Sequence, residues 1–253
     1  MYVYLYDDFL KNRSFRAVLK SIEVKLTDYG MSGKILRIHN YNDVHPLIED
    51  ELKRGAKTIV IVGNDKTFGH VLSRSANLPC VFGFIPVGGE NTIAGILGIP
   101  VGAEACDVLS RRRKENLDIG LVNNHFFISQ LRILPAPLTV SYNSQFKVIA
   151  KDLMEVVVCN LQPFFWKKNV MSKKQEVHPQ DGKLEAYLRP LTRRRWWGYT
   201  FDEPSIFPFE TMEISAPHAF EVHIDGNVFK EVRLVIKMAD CKIGMIVGRY
   251  RKF

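Results

Sequence analysis

Two short turns carry the residue types best suited to chemistry. "GNDKT" (Gly63–Thr67) follows the apolar run Thr58–Val62, and "PVGGEN" (Pro86–Asn91) follows Cys80–Ile85. Where a strand turns straight into a helix, backbone N–H groups and the positive end of the helix dipole can face a phosphate. In the first turn Gly63 lets the chain leave its strand sharply. Asn64 and Lys66 flank Asp65, which can serve a metal or a ribose; Lys66 adds positive charge and Thr67 a hydroxyl. In the second turn Gly88 and Gly89 permit close backbone approach, and Asn91 can cap the next helix or meet a ligand. Either turn alone is what any strand–helix connection uses. The pair, in neighbouring units, is more specific to phosphate.

Such turns need a parallel sheet behind them. Over residues 1–112 short apolar runs alternate with helical periods: "YVYLY" (Tyr2–Tyr6), "KILRI" (Lys34–Ile38), "TIVIV" (Thr58–Val62) and "CVFGFI" (Cys80–Ile85) predict strands. Between them Phe15, Val18, Leu19, Ile22, Leu26 and Tyr29 form one helical face, capped by Asn12. Leu47, Ile48 and Leu52 form another, capped by Asn42 or Asp43. This alternation predicts a Rossmann-like open α/β sheet with ligands at the strands' carboxyl ends.

Past "SRRRKEN" (Ser110–Asn116) helical periods nearly vanish. "MEVVVCNL" (Met154–Leu161), "KLEAYL" (Lys183–Leu188), "FETMEIS" (Phe209–Ser215), "AFEVHI" (Ala219–Ile224) and "EVRLVI" (Glu231–Ile236) read as strands. Residues 113–253 therefore predict an antiparallel β-sandwich domain after an α/β domain of residues 1–112.

Composition narrows the setting. The chain has 253 residues, 46% hydrophobic and 25% charged, enough for two packed domains. No apolar run approaches the roughly 18–20 residues that span a bilayer, and the acidic start "MYVYLYDDF" is not a secretory signal. Cys80, Cys106, Cys159 and Cys241 are scattered, which predicts separate thiols in a reducing cytoplasm. The formal charge of +8 favours anionic partners, but the bases are spread along the chain, so nucleic acid is not expected. "RPLTRRRWWGYTF" (Arg189–Phe201) is the exception. Its Arg193, Arg194, Arg195, Trp196 and Trp197 suit a membrane surface, where rings sit at headgroup depth and guanidinium groups meet anionic lipid.

The ordered series "VIVGNDKT", "FIPVGGENTIAGILGIP", "NLDIGLVNNHFFI", "HPQDGKLEAYL" and "FEVHIDGN" resembles the diacylglycerol kinase catalytic domain and its bacterial lipid kinase relatives over nearly the whole chain. Gly63, Asp65 and Thr67 match that family's GGDGT, and Pro86, Gly88 and Asn91 its second phosphate motif. The resemblance implies ATP and magnesium as cofactors and phosphoryl transfer to a lipid hydroxyl between two domains. It implies Asp65 in the nucleotide and metal network, Asp181 at a structural magnesium position and Asp118 at a further acidic position.

The departures fall on ligand-facing positions. Asn227 stands where the family has its glutamate general base, and an amide cannot take a proton. Asn64 and Lys66 replace two glycines; Gly89 and Thr92 replace threonine and aspartate. The first strand ends in Asp7 and Asp8 instead of a phosphate loop. The expectation is a divergent, cytoplasmic, ATP-dependent lipid kinase, peripheral to a membrane and able to dimerise, with Asp7, Asp8 or Glu90 as substitute acids. The alternative is a pseudokinase that binds nucleotide or lipid. A third reading is a soluble kinase akin to the NAD kinases, which share the nucleotide fold.

Overall fold

The computed structural model describes residues 1–142, 146–150, 152–161, 177–194, 198–225 and 227–253, with backbone alone at 193 and 194. The chain divides into two units: Met1–Leu117 with Cys241–Lys252, and Asp118–Asp240 with Phe253.

In the first unit β1 (Tyr2–Asp7), α1 (Arg16–Asp28), β2 (Lys34–Ile38), α2 (Val44–Lys53), β3 (Thr58–Gly63), α3 (Asp65–Ser75), β4 (Val81–Pro86), α4 (Thr92–Ile96) and α5 (Ala105–Arg111) alternate as the apolar periods require. β5 (Lys114–Leu117) closes the first pass. Every residue of β3 is buried, as expected for a central parallel strand covered on both faces. Of the expected caps, Asn12 acts one turn early, on the 3-10 turn Arg13–Phe15, whereas Asn42 and Asp43 lie in a 3-10 turn capped by Asn40 and α2 starts with no side-chain cap.

The second unit runs β6 (Gly120–Val122), β7 (His125–Phe127), β8 (Gln130–Ala136), β9 (Thr139–Tyr142), β10 (Phe146–Ile149), β11 (Leu153–Cys159), β12 (Leu184–Arg194), β13 (Gly198–Phe201), β14 (Ser205–Phe209), β15 (Thr211–Ile224) and β16 (Asn227–Met238). Among the described residues these pair into one antiparallel sheet, in the order β13-β12-β11-β8-β15-β16-β6-β7 with β9, β10 and β14 at its margins. Alternate residues such as Ile133, Val156, Leu184, Ile214, Val222 and Leu234 meet in one core, so the sheet folds over upon itself as a sandwich does.

The last strand, β17 (Ile243–Ile246), leaves that sheet. It pairs parallel to β4 and antiparallel to β5, giving a first sheet ordered β2-β1-β3-β4-β17-β5. The sequence boundary after residue 112 thus falls short of Leu117 and misses this return. "IGMI" is too short to advertise which sheet it joins, and burial of Ile243, Met245 and Ile246 decides it.

Candidate functional site: two linked turns and an acidic hairpin

β3 and β4 run parallel in register, Gly63 opposite Pro86, so the two turns share one sheet edge. Val87 donates its N–H to the Gly63 carbonyl at 2.7 Å, and Asp65 N–H bonds the Glu90 carbonyl at 3.1 Å. The Asp65 carboxylate then accepts from Thr92 N at 2.6 Å and Ile93 N at 3.1 Å, the first N–H groups of α4. Asp65 therefore ties one turn to the other. Burial pushes its carboxyl above the ordinary range, opposed by the N–H bonds from Ile93 and Thr92.

Asn64 and Thr67 form a reciprocal capping box: Thr67 N donates to Asn64 Oδ1 at 3.1 Å and Asn64 N to Thr67 Oγ1 at 3.3 Å. The Thr67 hydroxyl itself donates to Asp7 Oδ2 at 2.5 Å. Asp7 also accepts from Tyr41 Oη and from Phe9 N at 3.2 Å. Tyr41 in turn stacks on His70, ring centroids 4.2 Å apart. Asp7 is thus a structural acid that holds the hydroxyl of the first turn from beneath. Asp8 is spent on Lys11 at 2.5 Å and His39 at 2.9 Å, contacts that hold its carboxyl below the usual range, Lys11 first.

Lys66 is exposed, and among the described residues neither its ammonium nor its N–H has a partner. Those are the donors that this turn leaves for an anion. In the second turn Asn91 Nδ2 donates to the Gly88 carbonyl at 2.8 Å and to Gly89 at 3.2 Å, while its Oδ1 is buried without a partner. Gly88 has φ +71°, and a Cβ there would meet the rings of Phe15 and Phe9 at 3.1 Å. The two rings, in edge contact at 5.3 Å, cover this turn. Their place in the site was not legible in sequence, since nothing local links Phe9 to Gly88.

In the second unit one candidate metal acid, Asp118, holds the turn that carries the other, Asp181. Asp118 is buried; its N–H bonds the Pro179 carbonyl at 2.7 Å and its Oδ2 accepts from Gly182 N at 2.8 Å. Asp181 Oδ1 accepts from Lys183 N at 3.0 Å, and the His178 carbonyl takes Gln180 N at 2.8 Å. Glu185, at the start of β12, is only 5% exposed and its Oε2 has no partner. Burial, then the charge of Asp181, pushes its carboxyl up to about 7. Among the described residues no three His, Cys, Asp or Glu side chains converge on one point. Magnesium needs only one or two carboxylates beside carbonyls and water, so Asp181, the hairpin carbonyls and the orphan Glu185 oxygen fit it.

Asn227 opens β16 directly opposite Ile224. Both polar atoms of its side chain are buried and, among the described residues, without partners. The acid beside it is engaged elsewhere: Asp225, at φ +43°, accepts from Ile128 N at 2.7 Å, Gln130 N at 3.0 Å and Ser129 N at 3.1 Å. The basic aromatic candidates lie largely outside the description. Arg195, Trp196 and Trp197 are not among the described residues, and Arg193 and Arg194 are placed by backbone alone, opposite Tyr199 and Gly198. Their described neighbours Tyr199 and Phe201 are 58% and 41% exposed, and the Arg189 guanidinium lies 3.6 Å over the Phe201 ring. Among the described residues no helix is long and apolar enough to cross a membrane.

Residues 5–122 match the family model of the diacylglycerol kinase catalytic domain. The matched stretch holds both turns. No curated protein matches the chain. Among solved structures, a diacylglycerol kinase from Bacillus anthracis Sterne is similar at 18% identity and TM-score 0.75, covering 99% of this chain and 98% of that one. Two further structures from the same strain match with TM-scores 0.77 and 0.76 at 17% and 15% identity, again over 99% of this chain and 98% of theirs. At such identity the likeness is one of fold, and it covers both units. The chain shares the fold of these structures.

Proposed function

We propose that this chain is a lipid kinase slowed at its chemical step, working at a membrane surface from the cytoplasm. The observation that carries the reading is Asn227, buried and unpartnered where the family's motif has its base. Losing a general base lowers a rate by roughly 10²–10⁴.

ATP with magnesium supplies the transferable phosphoryl group and the charge that neutralises it. Lys66 offers its free N–H and ammonium to the phosphates. Asp65 fixes the second turn against the first through Thr92 and Ile93. Asp181, with the Glu185 carboxylate and nearby carbonyls, would hold magnesium, and Asp118 fixes that hairpin through Gly182. The acceptor hydroxyl gains the phosphoryl group as its O–H bond breaks. Its proton leaves to water, because the Asn227 amide cannot accept it.

The test is transfer from labelled ATP, with magnesium, to a panel of diacylglycerols and sphingoid bases, using wild type and Asn227→Glu. Weak transfer by wild type and stronger transfer by the variant is the expected result. No transfer by either, with folding intact, rejects the kinase. One observation favours a second reading, a pseudokinase: the first turn's hydroxyl is committed to Asp7, and Phe9 and Phe15 cover Gly88. Stabilisation by ATP–magnesium without turnover in either variant would establish it.

A further inference from the structure

Three arginines that the kinase reading does not use surround one cavity in the first unit. It measures about 590 Å³ and is lined by Val108, Arg111, Arg113, Val247, Gly248 and Arg249. All three arginines are exposed, and none forms an ion pair among the described residues. The acids close by in sequence are committed: Asp107 to Lys25 at 2.9 Å and Tyr29 at 2.5 Å, Glu115 to Arg251 at 2.8 Å.

The backbone arranges this convergence. α5 ends at Arg112 in the left-handed region, φ +50°. Arg111 and Arg113 therefore line the cavity, while Arg112 lies 5.7 Å over the Tyr2 ring. On the other side Val247 N bonds the Arg113 carbonyl at 2.9 Å, and Gly248 N bonds the Leu97 carbonyl at 2.8 Å. A Cβ at Gly248 would stand 1.8 Å from the Gly98 oxygen, so only glycine lets the Arg249 loop lie this close. Because β17 runs parallel to β4, the cavity opens at the carboxyl edge of the sheet, the edge that binds ligands in such folds. One arginine at the end of α5 would serve the helix dipole. Three around one cavity, with no ion pair to a carboxylate among the described residues, exceed that need.

We propose that the Arg111–Arg113–Arg249 cavity binds a phosphate-bearing, non-nucleotide ligand. Guanidinium forks match phosphate oxygens in pairs, and the volume suits a small ligand or a lipid headgroup. Headgroup and free phosphate ester share this chemistry, so the test uses both as probes. Calorimetry with pyrophosphate and glycerol 3-phosphate reads the soluble source. Flotation with phosphatidylcholine vesicles, with or without phosphatidic acid, reads the lipid source. Binding of at least one probe is expected to weaken about tenfold or more in Arg111→Gln/Arg113→Gln/Arg249→Gln. It should persist in Arg112→Gln, which removes charge outside the cavity. The proposal is overturned if wild type binds no probe, if the triple variant binds as wild type does, or if Arg112→Gln weakens binding as much. Failure of the kinase assay would leave all of these readings intact.

Discussion

Single residues decide what the paired turns can do. Thr67 is the clearest case: its hydroxyl, the family's phosphate-facing group by motif, points into the fold and bonds Asp7. Thr67→Val should lower stability by about 1–3 kcal/mol in urea titration, because it strands a buried carboxylate oxygen. Asn227→Glu should raise phosphoryl transfer by at least about tenfold, within the range a base contributes. His70 sets a pH dependence. Burial, then the charges of Arg74 and Lys66, lowers its pKa from the ordinary 6.5 to about 4. Below 6.5 the unfolded chain binds a proton that the folded chain refuses, so stability falls as pH drops from 6.5 towards 4. His70→Phe, which keeps a ring against Tyr41, should flatten that slope in thermal scans at pH 4.5 and 7. Sequence exposed the polar residues of both turns, because their spacing is local. It did not expose the Asp7–Thr67 bond, which joins positions 60 apart and leaves no trace in periodicity.

At the scale of elements, the second unit depends on one buried acid. Asp225 collects three successive N–H groups at the start of β8 and closes the β15–β16 hairpin onto it. Asp225→Ala should lower stability by about 3 kcal/mol or more, since it leaves buried donors unmet; a shift in the urea midpoint would measure it. The β-rich character of residues 113–253 was legible from short apolar runs. The single folded-over sheet was not, because pairing such as β15 with β8 is fixed by burial of Val222 and Ile133 from distant segments. Only the fold shows that Asp225 caps the start of β8.

At the scale of the molecule, the first unit is built from two separated pieces of chain. Removing residues 241–253 should leave β4 and β5 without the strand that joins them. The expected outcome is loss of the first unit's cooperative thermal transition, while residues 118–240 expressed alone keep an antiparallel β circular dichroism spectrum. An unchanged transition in the truncated chain would contradict this account of β17.

The return of β17 also sets an order of events on the ribosome. The stretch from Asp118 to Asp240 is contiguous and can close as soon as it emerges. The α/β sheet, begun first, must wait for a strand made last. Until then the side of β4 that β17 will fill is an open edge, apolar on both faces at Phe84 and Ile85. For the length of that wait the nascent chain presents such an edge to its neighbours, a period of exposure to chaperones and to misassembly that finished domains escape.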